Sequence, residues 1–338
     1  MKIIKKIIKR IFLSIALLIA LIIFTGLIFR VFGSAPHQPS GRFVDVDGVK
    51  FHINATGKKS HKPTLVIEGG AGLSTEYYHW LSEGLKDSLR VVRYDRAGIG
   101  YSDPGTSPRD AETIAKELHH LLKNAGESPP YILAGHSLGG PYLRVFTQLY
   151  PDEVAALVLI DATHPEQVEK YNAAPRSSFR FKSVLWALNV AAISADLGVI
   201  GLFENFSEPL FAAEGLPYEI NNRTKDFLLN GKCLRAYQSE IESYHTVLQR
   251  TKETKNFGVL PIRVFTAVEI DKKHLKEKGI PVEEYKKEHG KGQKEYLKLS
   301  SNSQQYIIDA NHQTIFTKKE NADTICSVII ELSKVSEN

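Results

Sequence analysis

Ser137 sits in Gly135-His136-Ser137-Leu138-Gly139-Gly140. The apolar run at 131–134 has the make-up of a buried strand, and residues 141–150 that of a helix. A chain turning so sharply leaves room only for small residues two before and two after the serine, and Gly135 and Gly139 fill those places. Such a turn lifts the hydroxyl clear of the backbone. It also aims the helix N-terminus, with the amide of Leu138 foremost, at whatever binds there. Attack on a carbonyl carbon, with an amide holding the oxygen that becomes negative, is the chemistry this permits. The blander reading is a glycine-rich turn around a buried serine.

The elements around this turn must bring a base to it, because serine is a weak nucleophile at its own pKa. Residues 43–56 alternate about Asp47-Gly48 and predict a β-hairpin. A buried strand at 64–67 leads into Glu68-Gly69-Gly70-Ala71-Gly72, where backbone amides can approach a ligand closely. A helix at 76–88, a strand at 89–94 and a turn-rich loop from Asp95 follow. Residues 109–125 place Ile114, Leu118, Leu121 and Leu122 at helical spacing. The strand at 154–160 ends on Asp161, and the next clear strand is 261–267. The interval of about a hundred residues far exceeds a crossover and reads as a helical cap. It holds a largely apolar run at 183–203, expected to line a pocket or pack on the core, and a helical stretch at 221–255. Residues 271–298 are dense in lysine and glutamate and read as solvated helix. A last strand at 304–308, then His312, then a helix at 322–332 close the chain. The alternation predicts an α/β fold: a mostly parallel sheet with helices on both faces and a cap between strands 6 and 7. Ser137, Asp161, Gly70 and His312 all follow strands directly. Ligands bind at that carboxyl edge of such sheets.

With these motifs the chain resembles the α/β-hydrolase superfamily, through Glu68 to Gly72, Asp95 to Asp103 and Gly135 to Gly140, over roughly residues 43–334. One departure is Glu68, where many members carry histidine. The resemblance implies hydrolysis of an ester or related acyl bond by Ser137, with His312 as base and no cofactor or metal. It places oxyanion donors at the amides of Leu138 and Gly70, with Ala71 as the alternative. His136 is expected to point away from the serine. The triad acid has two candidate places, the end of the strand at Asp161 and the loop after 261–267, where Glu269 and Asp271 stand; Asp161 is preferred over Asp271 for its burial and position. The stretch from Glu68 is also similar to the His-Gly-Gly-Pro-Gly motif of proline iminopeptidases, which leaves an aminopeptidase as an alternative. A non-catalytic tethered binding protein of the same fold is another. Dehalogenases and epoxide hydrolases of this fold use an aspartate nucleophile, against which Ser137 stands.

The net charge of +5 is not spread evenly. Residues 1–42 hold seven basic and no acidic residues, leaving 36 basic against 38 acidic. A near-neutral body gives no ground for nucleic-acid binding. Residues 11–29 carry no charge, close to the ~20 needed to span a bilayer. The expected division is a basic cytoplasmic flank (1–10), a transmembrane anchor (11–32), a linker (33–42), the catalytic core (43–164 and 256–338) and the cap (165–255). The flank predicts a cytoplasmic N-terminus and an extracytoplasmic body. A cleaved signal peptide is the competing reading; the length of the run and Pro36 after the small residues count against it. The expected partners are the membrane and a small-molecule or lipid-like acyl substrate. Cys233 and Cys326 show no metal or redox spacing.

Overall fold

The computed structural model describes residues 2–33, 36–106, 108–166, 176–204, 207–269 and 281–335. A basic first stretch and then the uncharged run at 11–29 build α1 (Lys2–Phe32), whose side chains are mostly exposed. Among the described residues it alone is long and apolar enough to cross a membrane. The hairpin β1 (Arg42–Val46) and β2 (Val49–Thr56) turns at Asp47 and Gly48, both left-handed at φ 53° and 85°. Next come β3 (Thr64–Glu68), α2 (His79–Leu85), β4 (Val91–Tyr94), α3 (Ala111–Asn124), β5 (Tyr131–His136), α4 (Gly139–Leu149) and β6 (Val154–Ile160). The cap contributes α5 (Phe179–Asp196), α6 (Val199–Glu204), α7 (Tyr218–Arg223) and α8 (Lys232–Lys252). The chain finishes with β7 (Ile262–Ala267), α9 (Val282–Glu295), β8 (Ser303–Ile308), α10 (Thr314–Thr317) and α11 (Lys319–Val335).

Among the described residues the strands form one eight-stranded sheet in the order β1-β2-β4-β3-β5-β6-β7-β8. The β1–β2 and β2–β4 pairs are antiparallel, and the remaining pairs are parallel. Every residue of β3 and β5 is buried, as a central parallel strand covered on both faces requires. Their side chains alternate. Val66 and Leu133 join α3 and α4 in one apolar cluster, while Leu65, Ile67, Ile132 and Ala134 join α2, α10 and α11 in the other. The fold class read from the sequence holds, with the cap between β6 and β7.

Three local expectations change. The helix expected at 76–88 is a 3₁₀ turn at Thr75–Tyr78 followed by the short α2. The stretch at 221–255 is not continuous: a 3₁₀ segment and Gly231 separate α7 from α8. The helix α9 is more than a solvated surface element, for Gly292 and Gln293 are buried and Gln293 donates to the Ala162 carbonyl at 2.7 Å. Cys233 and Cys326 are buried and free.

Candidate active site

Ser137 occupies the turn between β5 and α4 with φ of 51°, a left-handed conformation that costs a β-carbon residue roughly 1–3 kcal/mol. Close packing enforces the flanking glycines. A β-carbon at Gly139 would lie 2.4 Å from the Glu68 carbonyl oxygen, and one at Gly135 would lie 2.8 Å from the Gly139 backbone. Ser137 N–H donates to the Ile160 carbonyl, and its carbonyl accepts from Gly140 and Thr163 N–H, so neighbouring strands hold the strain. The Leu138 N–H lies in the first turn leading into α4, where backbone amides lack intrahelical acceptors.

Asp161 follows β6 and is also left-handed, with φ of 42°. Its carboxylate is 3% exposed and fully committed. Oδ2 accepts from His312 Nδ1 at 2.6 Å, and Oδ1 accepts from His289 Nε2 at 3.0 Å and Ala267 N–H at 3.1 Å. Since an ionised carboxylate only accepts, these contacts put a proton on Nδ1 of His312 and on Nε2 of His289. Burial opposes the charge on Asp161, but the bonds from His289 and His312 outweigh it and hold the carboxyl well below its usual range. Burial likewise opposes charge on His289, and Asp161 reverses the balance, so the His289 pKa is raised. The His312 side chain is 54% exposed at the same edge. Ser137 Oγ lies 3.5 Å from Thr163 Oγ1. A hydrogen bond from the serine to His312 is not among those formed by the described residues; such bonds commonly tighten only with substrate.

The glycine loop after β3 lies against Ser137: a β-carbon at Gly70 would come within 3.1 Å of the Ser137 β-carbon. The Gly70 amide, however, is taken. It donates to the Tyr78 hydroxyl oxygen at 2.9 Å, Tyr78 lies 3.2 Å from His136 Nδ1, and His136 Nε2 lies 2.9 Å from the His312 carbonyl. Gly70 as an oxyanion donor is therefore corrected. Ala71 N–H makes no hydrogen bond among the described residues. His136 makes no bond to Ser137 among the described residues: it is buried beneath His312, ring centroids 4.6 Å apart, with its ring nitrogens in this chain of bonds. Burial, then the nearby His312, depress its pKa well below the usual value, so it is neutral and its Nδ1 accepts from Tyr78.

Glu68 gains a role that the sequence left open. Arg96, 2% exposed, spends all five guanidinium donors beneath the loop. Nη1 reaches Glu68 at 2.6 Å and the Gly69 carbonyl at 2.7 Å, Nη2 reaches the Gly70 carbonyl at 2.7 Å and Glu240 at 2.9 Å, and Nε reaches Glu240 at 2.6 Å. Tyr94 O–H donates to the other Glu68 oxygen. Glu240, on cap helix α8, also accepts from Gly72 N–H at 2.8 Å. Core loop and cap thus share one buried ion cluster.

Of the residues singled out in sequence, the structure gathers Ser137, Leu138, Asp161, Gly70, Ala71 and His312 at one sheet edge; Asp271 lies outside the described residues. His289, Arg96 and Glu240 escaped notice. His289 carries no sequence signal, for it lies in a stretch dense in lysine and glutamate. His164, Glu166 and Glu295 bring metal-ligand atoms within 4.8 Å of one another, but His164 and Glu295 already pair at 3.3 Å.

A family model described as alpha/beta hydrolase fold matches residues 62–190. A thermophilic esterase from Thermogutta terrifontis has the same fold at TM-score 0.57 and 19% identity, over 87% of this chain and 100% of its own. The chain has the α/β-hydrolase fold. The uncharacterized protein YbdG of Bacillus subtilis is 34% identical over 133 residues, 39% of this chain and 40% of its own length. Epoxide hydrolase 3 of Xenopus tropicalis is 27% identical over 168 residues, 48% of this chain and 44% of its own. The chain thus spans less than half the length of these curated relatives. The proteins it resembles carry different activity names, so the site decides the chemistry.

Proposed function

We propose that this α/β-hydrolase cleaves an ester or related acyl bond by a serine mechanism. The observation that carries the reading is the 2.6 Å bond from His312 to Asp161 at the edge where Ser137 stands on its left-handed turn. His312 Nε2 takes the Ser137 proton as Oγ adds to the carbonyl carbon. Asp161 keeps the imidazole in the tautomer this needs and stabilises the cation that forms. Amides of Leu138 and Ala71 hold the oxyanion. His312 returns the proton to the leaving group, and water releases the acyl enzyme by the reverse sequence. An epoxide-opening reaction of the kind named for the Xenopus relative is disfavoured by serine in place of a carboxylate nucleophile. An aminopeptidase needs an acid to hold the substrate amine; the cap carboxylate that reaches the glycine loop, Glu240, is already spent on Arg96 and Gly72.

In the same reading α1 anchors the protein in a membrane, with the basic N-terminal end cytoplasmic and the catalytic body outside. The full-length protein in detergent, exposed to a fluorophosphonate, is expected to label. Ser137→Ala and His312→Ala are expected to lose labelling by 10³-fold or more, on the order of what triad removal costs. A folded wild-type protein that stays unlabelled overturns the serine mechanism. Parallel assay of short acyl esters and amino-acyl arylamides separates the esterase from the aminopeptidase.

A further inference from the structure

The cap carries an apolar surface that the catalytic reading does not use. The inner face of α5 packs Ala192 and Ala195 against Leu228 and Leu234. Its outer face presents Phe179, Trp186, Val190 and Ile193, which are 87%, 69%, 41% and 55% exposed. Their spacing of 7, 4 and 3 residues aligns them in a single stripe along the helix. A helix apolar on both sides suits either a protein interior or lipid, and among the described residues nothing covers the outer stripe of α5. Basic Arg180 and Lys182 stand at its start, and it holds no acid before Asp196. That is the charge pattern of helices that lie on anionic bilayers.

The position of α5 relative to α1 selects the occupant. Where α5 ends, the chain crosses α1 at close range: a β-carbon at Gly198 would lie 2.1 Å from the Gly26 carbonyl oxygen. Arg30 of α1 donates to the Asp196 carbonyl beside it. Gly26 lies four residues inside the end of the uncharged run, at Arg30, hence about 6 Å below the level of that charge. Interfacial helices sink their apolar faces by about 5–10 Å. From this geometry we propose that α5 is seated in the outer boundary of the bilayer that α1 crosses, with the Phe179–Trp186–Val190–Ile193 stripe in lipid. The cap thus lies on the membrane, and an acyl substrate dissolved there reaches it without passing through bulk water. The proposal rests on α1 being a membrane anchor.

The chain has two tryptophans, and α1 has none, so tryptophan fluorescence reports the body alone. The full-length Trp80→Phe protein would be reconstituted in phosphatidylcholine–phosphatidylglycerol vesicles with and without brominated acyl chains. Flotation after alkaline carbonate reads the anchor separately. Flotation with at least twofold bromine quenching of Trp186, absent from a Trp186→Phe protein, is the expected result. Flotation without quenching in either the Trp80→Phe or the wild-type protein overturns the seat and leaves the anchor standing; a second copy of the chain then takes lipid's place over the stripe. Failure to float overturns the anchor and the seat together.

Discussion

Two buried carboxylates flank the turn that carries Ser137, and their surroundings pull them in opposite directions. Asp161 is 3% exposed and Glu68 is not exposed at all, so burial penalises charge on both. At Asp161 two histidines and a backbone amide outweigh that penalty, and the pKa falls. At Glu68 the penalty prevails over Arg96 and Tyr94, and the pKa rises; Glu240 draws on the same arginine and adds to the rise. An acid that must stabilise a transient imidazolium is served by being firmly ionised. An acid that braces a backbone loop has no such need. In the proposed mechanism the two sides of the site differ in duty, and their electrostatics differ in the matching sense.

Replacing Asp161 tests this contrast most severely. Asp161→Asn is expected to lower the fluorophosphonate labelling rate by a factor on the order of 10⁴, the cost of holding the imidazole in the wrong tautomer. The pH signature has a definite sign. The folded pKa of Asp161 is depressed, so its contribution to stability is complete above about pH 4 and is lost as pH falls through the depressed value. Melting curves of the asparagine variant should lack that acid-side loss. Labelling at the wild-type rate would remove Asp161 from the mechanism.

On the other side, Arg96→Met leaves Glu68 and Glu240 facing each other without a counter-charge. Breaking a buried pair in this way costs about 3–5 kcal/mol, which a urea midpoint would show. Adding Glu68→Gln and Glu240→Gln should restore part of it. A methionine variant as stable as wild type would mean that the arginine does not brace the loop, and the contrast would collapse.

The smallest effect is expected at His289. His289→Gln keeps a donor for Asp161 and removes a side chain whose pKa the carboxylate raises. Below that raised pKa the wild-type imidazole is positive, and its charge opposes a second proton on the Asp161–His312 pair. Without it, the acidic limb of the labelling rate should move to higher pH, with a rate loss of about tenfold or less at neutral pH, at the lower end of positioning effects. A limb that stays in place would mean that His289 only packs.

The strands, the elbow and the order of serine, acid and histidine were legible because each leaves a local mark: apolar runs, paired glycines, a charge at the end of a buried strand. Asp161 could be preferred over Asp271 because four apolar residues lead straight into it. The partners of those residues left no such mark. His289 sits in a lysine- and glutamate-rich stretch that reads as solvent-facing until α9 is docked. Glu240 lies on an amphipathic helix about 170 residues from the loop it grips. The Gly70 amide looked free because Tyr78, which occupies it, belongs to a turn whose direction depends on packing against Phe316. Backbone spacing is written along the chain; the destination of a donor is decided by what folds back on it.

The grip of Arg96 on both Glu68 and Glu240 has a kinetic consequence. Lifting α8 from the core would strand two acids or an arginine in a dry interior, so α8 is riveted there rather than hinged. A roof fixed at that point cannot mould itself around each guest. On the proposed function, substrates are then expected to be sorted at α8 by whether they fit, with no closing step of that helix to wait for between encounter and reaction.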